Sequence, residues 1–141
     1  MKIVLDTNII VSGLLKSQGN PAQVLTLALA GAVQVCRDER ILAEYGEVLV
    51  RPRFKFDPQR VREVLTKLDV DGLAVDASGV SNLNLPDADD EPFLAVALAA
   101  SVDFLVTGNL ADYPPDKRRG CAVISPAAFM EHWRKLQRED E

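Results

Sequence analysis

The sequence predicts an α/β fold, a three-layer α/β/α sandwich with a central parallel sheet. Short apolar runs alternate with longer segments of helical period, the pattern of parallel strands joined by helical crossovers. The first run, KIVLD (2–6), is short, β-branched and apolar, as a strand covered on both faces is. With 141 residues, 48% hydrophobic and 26% charged, the chain has the size and composition of one globular domain, 1–141, that needs no disulfide or metal to fold.

The elements follow in order. KIVLD is the first strand, and an apolar helix runs over 9–15. Gly19-Asn20-Pro21 marks a turn and a helix start, with Asn20 as cap and Pro21 at the first helical position. PAQVLTLALAG (21–31) is a largely buried helix closed by Gly31, and AVQVC (32–36) is the second strand. Residues 38–50 form an amphipathic helix that Pro52 stops. Asp57-Pro58 opens another helix that ends near Leu68, and LAVDA (73–77) is the third strand. A helix over 91–101 leads into the strands DFLVT (103–107) and AVIS (122–125). The closing helix, 126–137, puts Phe129, Trp133 and Leu136 on one face for the core or for a partner.

Several classes are disfavoured. The longest apolar stretch, PFLAVALAA (92–100), falls short of the ~20 residues a bilayer requires. Only three apolar residues separate Lys2 from Asp6, against roughly 7–15 in a signal-peptide core, so the expected location is the cytosol. Cys36 and Cys121 sit in apolar surroundings and read as reduced, buried hydrophobes. With His132, expected at the surface, they are too few for zinc, which takes about four such ligands. The net charge of −5 makes a poor non-specific nucleic-acid binder. Residues 51–67, however, carry Arg51, Arg53, Lys55, Arg60, Arg62 and Lys67 against Asp57 and Glu63, and KRR (117–119) adds a second basic spot. These are either solvated faces or a track for a phosphate backbone.

In a sheet of this kind, functional groups gather past the carboxyl ends of the strands. Asp6, Thr7 and Asn8 follow the first strand, and Thr107, Gly108 and Asn109 end the fourth. Asp6 alone fits a helix cap as well as a metal ligand. Glu44 is sharper: at ~100° per residue it falls about 40° from Val48, at the border of the buried face, and Glu47 lies about 60° further out. A carboxylate held there needs a partner, either a basic side chain or a cation. Asp87, Asp89, Asp90 and Glu91 crowd the start of an almost wholly apolar helix. One acid suffices to cap it, and four repel one another unless a cation sits among them. Carboxylates from several segments, without thiol or imidazole, suit a hard ion such as Mg²⁺ or Mn²⁺, as in metal-dependent phosphodiester hydrolysis.

These residues carry a family resemblance. VLDTNIIVSGLL, ILAEYGEVLVRPRF, PDADDEPFLAVALAASVDFLVTGNLADYP and VISPAAF stand in the order of PIN-domain ribonucleases and span almost the whole chain. The chain most resembles the VapC-like branch, toxin components of toxin–antitoxin pairs. The resemblance implies a PIN-like sandwich and Mg²⁺- or Mn²⁺-dependent cleavage of single-stranded RNA. It further implies a cognate antitoxin and a homodimer. It makes Asp6, Glu44 and Asp90 the catalytic metal-holding acids, with Asp87 as companion. Asn8 and Thr107 become the groups that orient the site. Asp89 and Glu91 match no fixed acid. Many PIN nucleases carry a fourth acid after the T-G pair, where Asn109 stands here as a possible neutral metal ligand, and Asp112 can substitute. Arg51, Arg53, Lys55 and Arg60 would then meet the RNA backbone, which positions a strand without reading its sequence. Two alternatives remain: a catalytically impaired PIN domain that binds RNA or an antitoxin, and phosphotransfer through Asp6. The latter lacks the acid pair that phosphatases and receiver domains use, since Asn8 stands where a phosphatase has its second Asp.

Overall fold

The computed structural model describes residues 1–140. Among them the chain forms five strands in one wholly parallel sheet, in the order β3-β2-β1-β4-β5. The strands are β1 (Lys2–Leu5), β2 (Gln34–Arg37), β3 (Leu73–Ala74), β4 (Phe104–Val106) and β5 (Val123–Ile124). Six α-helices join and close them: α1 (Thr7–Leu15), α2 (Asn20–Leu29), α3 (Glu39–Leu49), α4 (Pro58–Asp71), α5 (Glu91–Ala100) and α6 (Pro126–Glu139). Successive strand residues point to opposite faces of a sheet. Ile3, Val4 and Leu5 are all at 0% exposure, so both faces of β1 are covered and the sandwich has three layers.

The order of the strands decides where a site can form. The chain runs outward from β1 through β2 to β3, then returns to lay β4 against the other side of β1. A crevice opens past the carboxyl ends of two such neighbours, where the connections diverge. Leu5 pairs with Val106, so the residues after each, Asp6 and Thr107, emerge side by side. The Asp6 amide donates to the Val106 carbonyl at 3.0 Å.

Several details depart from the sequence reading. The first helix begins at Thr7, not Ile9. Asn20 does not cap α2; Gly19, at φ 110°, takes that place without a side-chain bond, and Asn20 is the first helical residue. The third strand stops at Ala74 because Asp76 bonds the Ser78 amide at 3.0 Å and turns the chain away. Cys36 is buried but Cys121 only half-buried, and both are free. His132 is not a surface group: it lies half-buried, edge-on to Phe104 with centroids 4.9 Å apart. On α6, Phe129 is fully buried and Trp133 packs against the core. Among the described residues, no helix is long and apolar enough to cross a membrane.

Candidate active site

Asp6 stands at the N-cap position of α1, yet its side chain makes no cap hydrogen bond. It turns instead into the crevice, 4% exposed, where Oδ2 accepts from Thr107 Oγ1 at 2.9 Å and from the Tyr113 hydroxyl at 3.0 Å. Thr107 Oγ1 in turn accepts from Asn8 Nδ2 at 3.3 Å and from the Asn109 amide at 3.1 Å. Asn8 Oδ1 accepts from the Gly108 amide at 2.8 Å, and a Cβ on residue 108 would lie 3.2 Å from that oxygen. Asn8 and Thr107 thus lace the two strand-end loops together around one carboxylate oxygen. Burial raises the Asp6 carboxyl above its ordinary range, while Thr107, Tyr113 and the nearby Thr7 and Asn8 amides favour the charged form. Burial and Asp6 hold the Tyr113 phenol well above its usual range, so it stays a donor. Sequence reasoning passed over Tyr113, whose ring is fully buried.

Glu44 lies in the middle of α3, half-buried, and accepts a hydrogen bond from Thr7 Oγ1. Tyr45 beside it is fully buried and donates to the Leu5 carbonyl at 2.5 Å, which pins α3 to the end of β1. Glu47, by contrast, is exposed and pairs with Arg51 at 3.1 Å. The basic partner considered for Glu44 is not there: among the described residues its partner is a hydroxyl and no cation pairs with it. Burial raises its carboxyl, and Asp6, Asp89 and Glu47 push in the same direction.

The acid cluster divides by task. Asp87 caps a short 3₁₀ turn, Ala88–Asp90, by accepting from the Asp89 amide at 2.9 Å. Glu91 accepts from the Leu85 amide at 3.1 Å and holds the incoming loop. Asp89 is exposed, though near enough to raise Glu44. Asp90 is half-buried, and its side chain finds no donor among the described residues. Burial pushes its carboxyl up to about 7, and Asp6, Asp112, Asp87 and Glu44 push the same way. Asn109 is exposed, whereas Asp112, in the 3₁₀ turn Leu110–Asp112, is half-buried and near enough to Asp90 to raise it. On this loop the acid that faces the others is therefore Asp112.

Asp6, Glu44, Asp90 and Asp112 form a mutually repelling set of oxygen donors without a basic partner among the described ion pairs. That donor chemistry fits a hard divalent cation and does not fit zinc. Among the described residues, no three acid, thiol or imidazole groups are already closed on one point, so the acids surround the crevice without meeting.

The basic residues are less free than their count implies. Arg51 pairs with Glu47, and Arg60 lies 3.9 Å from Glu63. Arg53 stacks over the Phe54 ring at 4.8 Å, and Lys55 has no ion pair among the described residues. In the second basic spot, Arg118 Nε donates to the Tyr113 carbonyl at 2.7 Å. Arg119 donates to the carbonyls of Ser81 and Asn82 at 2.9 and 2.7 Å. Both hold loops together.

A family model described as PIN domain matches residues 2–111. A relative in Methanocaldococcus jannaschii, the uncharacterized protein MJ1680, is 26% identical over 113 residues, covering 77% of this chain and 71% of its own. Three solved structures share the fold. VapBC2 from Rickettsia felis, bound to a DNA fragment from its promoter, has a TM-score of 0.57 at 17% identity, covering 89% of this chain and 98% of that one. FitAcB from Neisseria gonorrhoeae gives 0.57 at 18%, with the same coverage. FitAB bound to the IR36 DNA fragment gives 0.60 at 19%, covering 88% and 94%.

Proposed function

The chain belongs to the PIN domain family, and we propose that it is a divalent-metal-dependent endoribonuclease that cuts single-stranded RNA. One observation carries this reading: four carboxylates from distant segments crowd one crevice, with no basic side chain paired to them among the described residues. Asp6, Glu44 and Asp90 would hold Mg²⁺ or Mn²⁺, with Asp112 as the fourth acid and Asp87 behind Asp90. Asn109 is left as a neutral ligand at most. The cation would supply Lewis acidity toward the phosphate and a more acidic water. The chain's own groups set up that chemistry. Thr107 and Tyr113 fix the orientation of Asp6, Thr7 fixes Glu44, and the Asn8–Gly108 bond holds the two loops in register. Arg51, Arg53 and Lys55, in the segment between α3 and α4, and Arg60 on α4 would meet phosphates.

The test compares the protein with Asp6→Asn on a labelled single-stranded RNA pool in Mg²⁺ or Mn²⁺. Cleavage by the parent and loss in the variant is expected; equal cleavage by both, or by neither, removes the nuclease. The exposed Asn109 favours a second reading, a PIN domain that binds RNA or an antitoxin without cutting, and binding without cleavage would support it. A toxin role with a protein antitoxin accords with the VapBC and FitAB complexes that share the fold; a cytosolic homodimer is part of the same proposal. Growth arrest on expression, relieved by Asp6→Asn, is the expected sign.

A further inference from the structure

Past the end of α3 the chain makes a feature that the carboxylate crevice does not use. A 220 Å³ cavity lies between the end of α3 and the start of α4. Val50, Phe56 and Leu65 supply apolar wall, and Arg51, Lys55 and Arg62 also line it. Among the described residues no carboxylate lines it. Drug-sized pockets run to roughly 300–1,000 Å³, so this one suits a single ring system and not a row of side chains.

The wall is built at a local cost. Lys55 takes a left-handed backbone, φ 54°, which L-residues other than glycine avoid. That bend sets Phe54 and Phe56 in a stack, with centroids 5.4 Å apart and planes 15° apart, and Arg53 covers Phe54. Phe54 does not join the core cluster; its described ring partners are Phe56 and Arg53. Val50 is 66% exposed although apolar. An apolar hollow walled by Phe56, with Lys55 and Arg62 outside the described ion pairs and Arg51 shared with Glu47, complements a flat neutral ring flanked by negative charge.

We infer that this cavity takes one nucleobase of the single-stranded RNA, with the flanking phosphates on Arg51, Lys55 and Arg62. This rests on the nuclease reading above and deepens it. Glu44 and the cavity share α3, and at 1.5 Å per residue Leu49 stands only about 8 Å along the axis from Glu44. A strand held at the carboxylates need extend only a few nucleotides around α3 to reach the cavity. Aromatic stacking gives single-strand binders sequence-tolerant affinity, which suits a base held here without hydrogen-bond readout.

The experiment uses Asp6→Asn, expected to leave RNA uncut, with decauridylate, a fully abasic decamer, and decauridylate carrying 5-iodouridine. Irradiation should attach iodouridine to Phe56. Val50→Gln, an exposed and uncharged change, should weaken decauridylate binding about fivefold or more and leave the abasic decamer unmoved. Adducts only elsewhere, or equal effects of Val50→Gln on both decamers, overturn the inference; a cavity that serves a protein partner would give that result. Cleavage by the parent protein alongside it leaves the nuclease standing, whereas no RNA binding and no cleavage removes both.

Discussion

Tyr113→Phe removes one oxygen from a fully buried ring and leaves the packing as it was. The oxygen lost donates to Asp6 Oδ2 at 3.0 Å, and Thr107 still donates to the same atom. A hydrogen bond to a charged group is worth about 1.5–3 kcal/mol, and the surviving Thr107 bond places this one near the lower end. When Asp6 is ionised, the variant should therefore lose about 1.5–2 kcal/mol of stability. Because the charged form loses more than the neutral form, the Asp6 carboxyl should rise further in the variant. The sign is fixed by what the phenol stabilises. Asp6 is already raised above its ordinary value, and the phenol partly opposes that rise. The cost is full at high pH, where Asp6 is charged. It falls toward the ~1 kcal/mol of a neutral bond as Asp6 takes up its own proton. Urea unfolding of the metal-free protein at pH 8.5 and pH 5 reads the direction of that change. Mn²⁺ titration should show a roughly 10–100-fold weaker site, the usual effect of losing a group that orients a ligand. An equal loss at both pH values, with Mn²⁺ affinity unchanged, would refute the role given to the phenol.

Three further outcomes follow from the same geometry. Glu44→Gln should lower RNA cleavage by about tenfold or more, while Glu47→Gln, exposed and paired with Arg51, should stay within about twofold; the reverse order in the cleavage assay would sink the helix-face assignment. Asp90 titrates near 7, well above its unfolded value of about 3.9, so the folded state holds its proton more tightly. Metal-free stability from that source is full below pH ~4 and is lost as pH rises through 7. The loss is about 1–2 kcal/mol after discounting for solvent screening of a half-exposed group, and denaturation midpoints of Asp90→Asn across that range should lack the slope. Asp112→Asn should weaken Mn²⁺ binding about tenfold, whereas Asn109→Asp should change it little; calorimetry that ranks them the other way returns the fourth position to residue 109.

Residues whose position follows from periodicity could be placed from sequence. Asp6 and Thr107 lie at strand ends because their strands are short apolar runs, and the fold brings those ends together. Glu44 and Glu47 separate on a wheel, and the structure finds one half-buried and the other exposed. What stayed hidden depends on contacts that no local pattern encodes. Tyr113 sits in a loop 107 residues from the carboxylate it meets. Among Asp87, Asp89, Asp90 and Glu91, sequence spacing could not say which bonds an amide and which faces other acids. His132 falls on an edge against Phe104 through the packing of α6, and Arg118 and Arg119 spend their charge on carbonyls that only the folded loops supply. The third strand shortens because an Asx turn at Asp76 competes with the ladder.

The pairing of Leu5 with Val106 also sets a clock on assembly. Asp6 and Thr107 are 101 residues apart, so every earlier strand and helix is synthesised before the groups that hold this carboxylate exist. At about 5–20 residues per second, a ribosome makes Asp6 roughly 5–20 s ahead of Thr107. Until β4 slots in beside β1, the Asp6 side chain has neither its hydroxyl donors nor its dry surroundings. Non-local closure of this kind is also among the slower steps of folding. A nascent or truncated chain that ends before β4 is therefore an incomplete crevice, and any activity that depends on Asp6 begins only once most of the chain has left the ribosome.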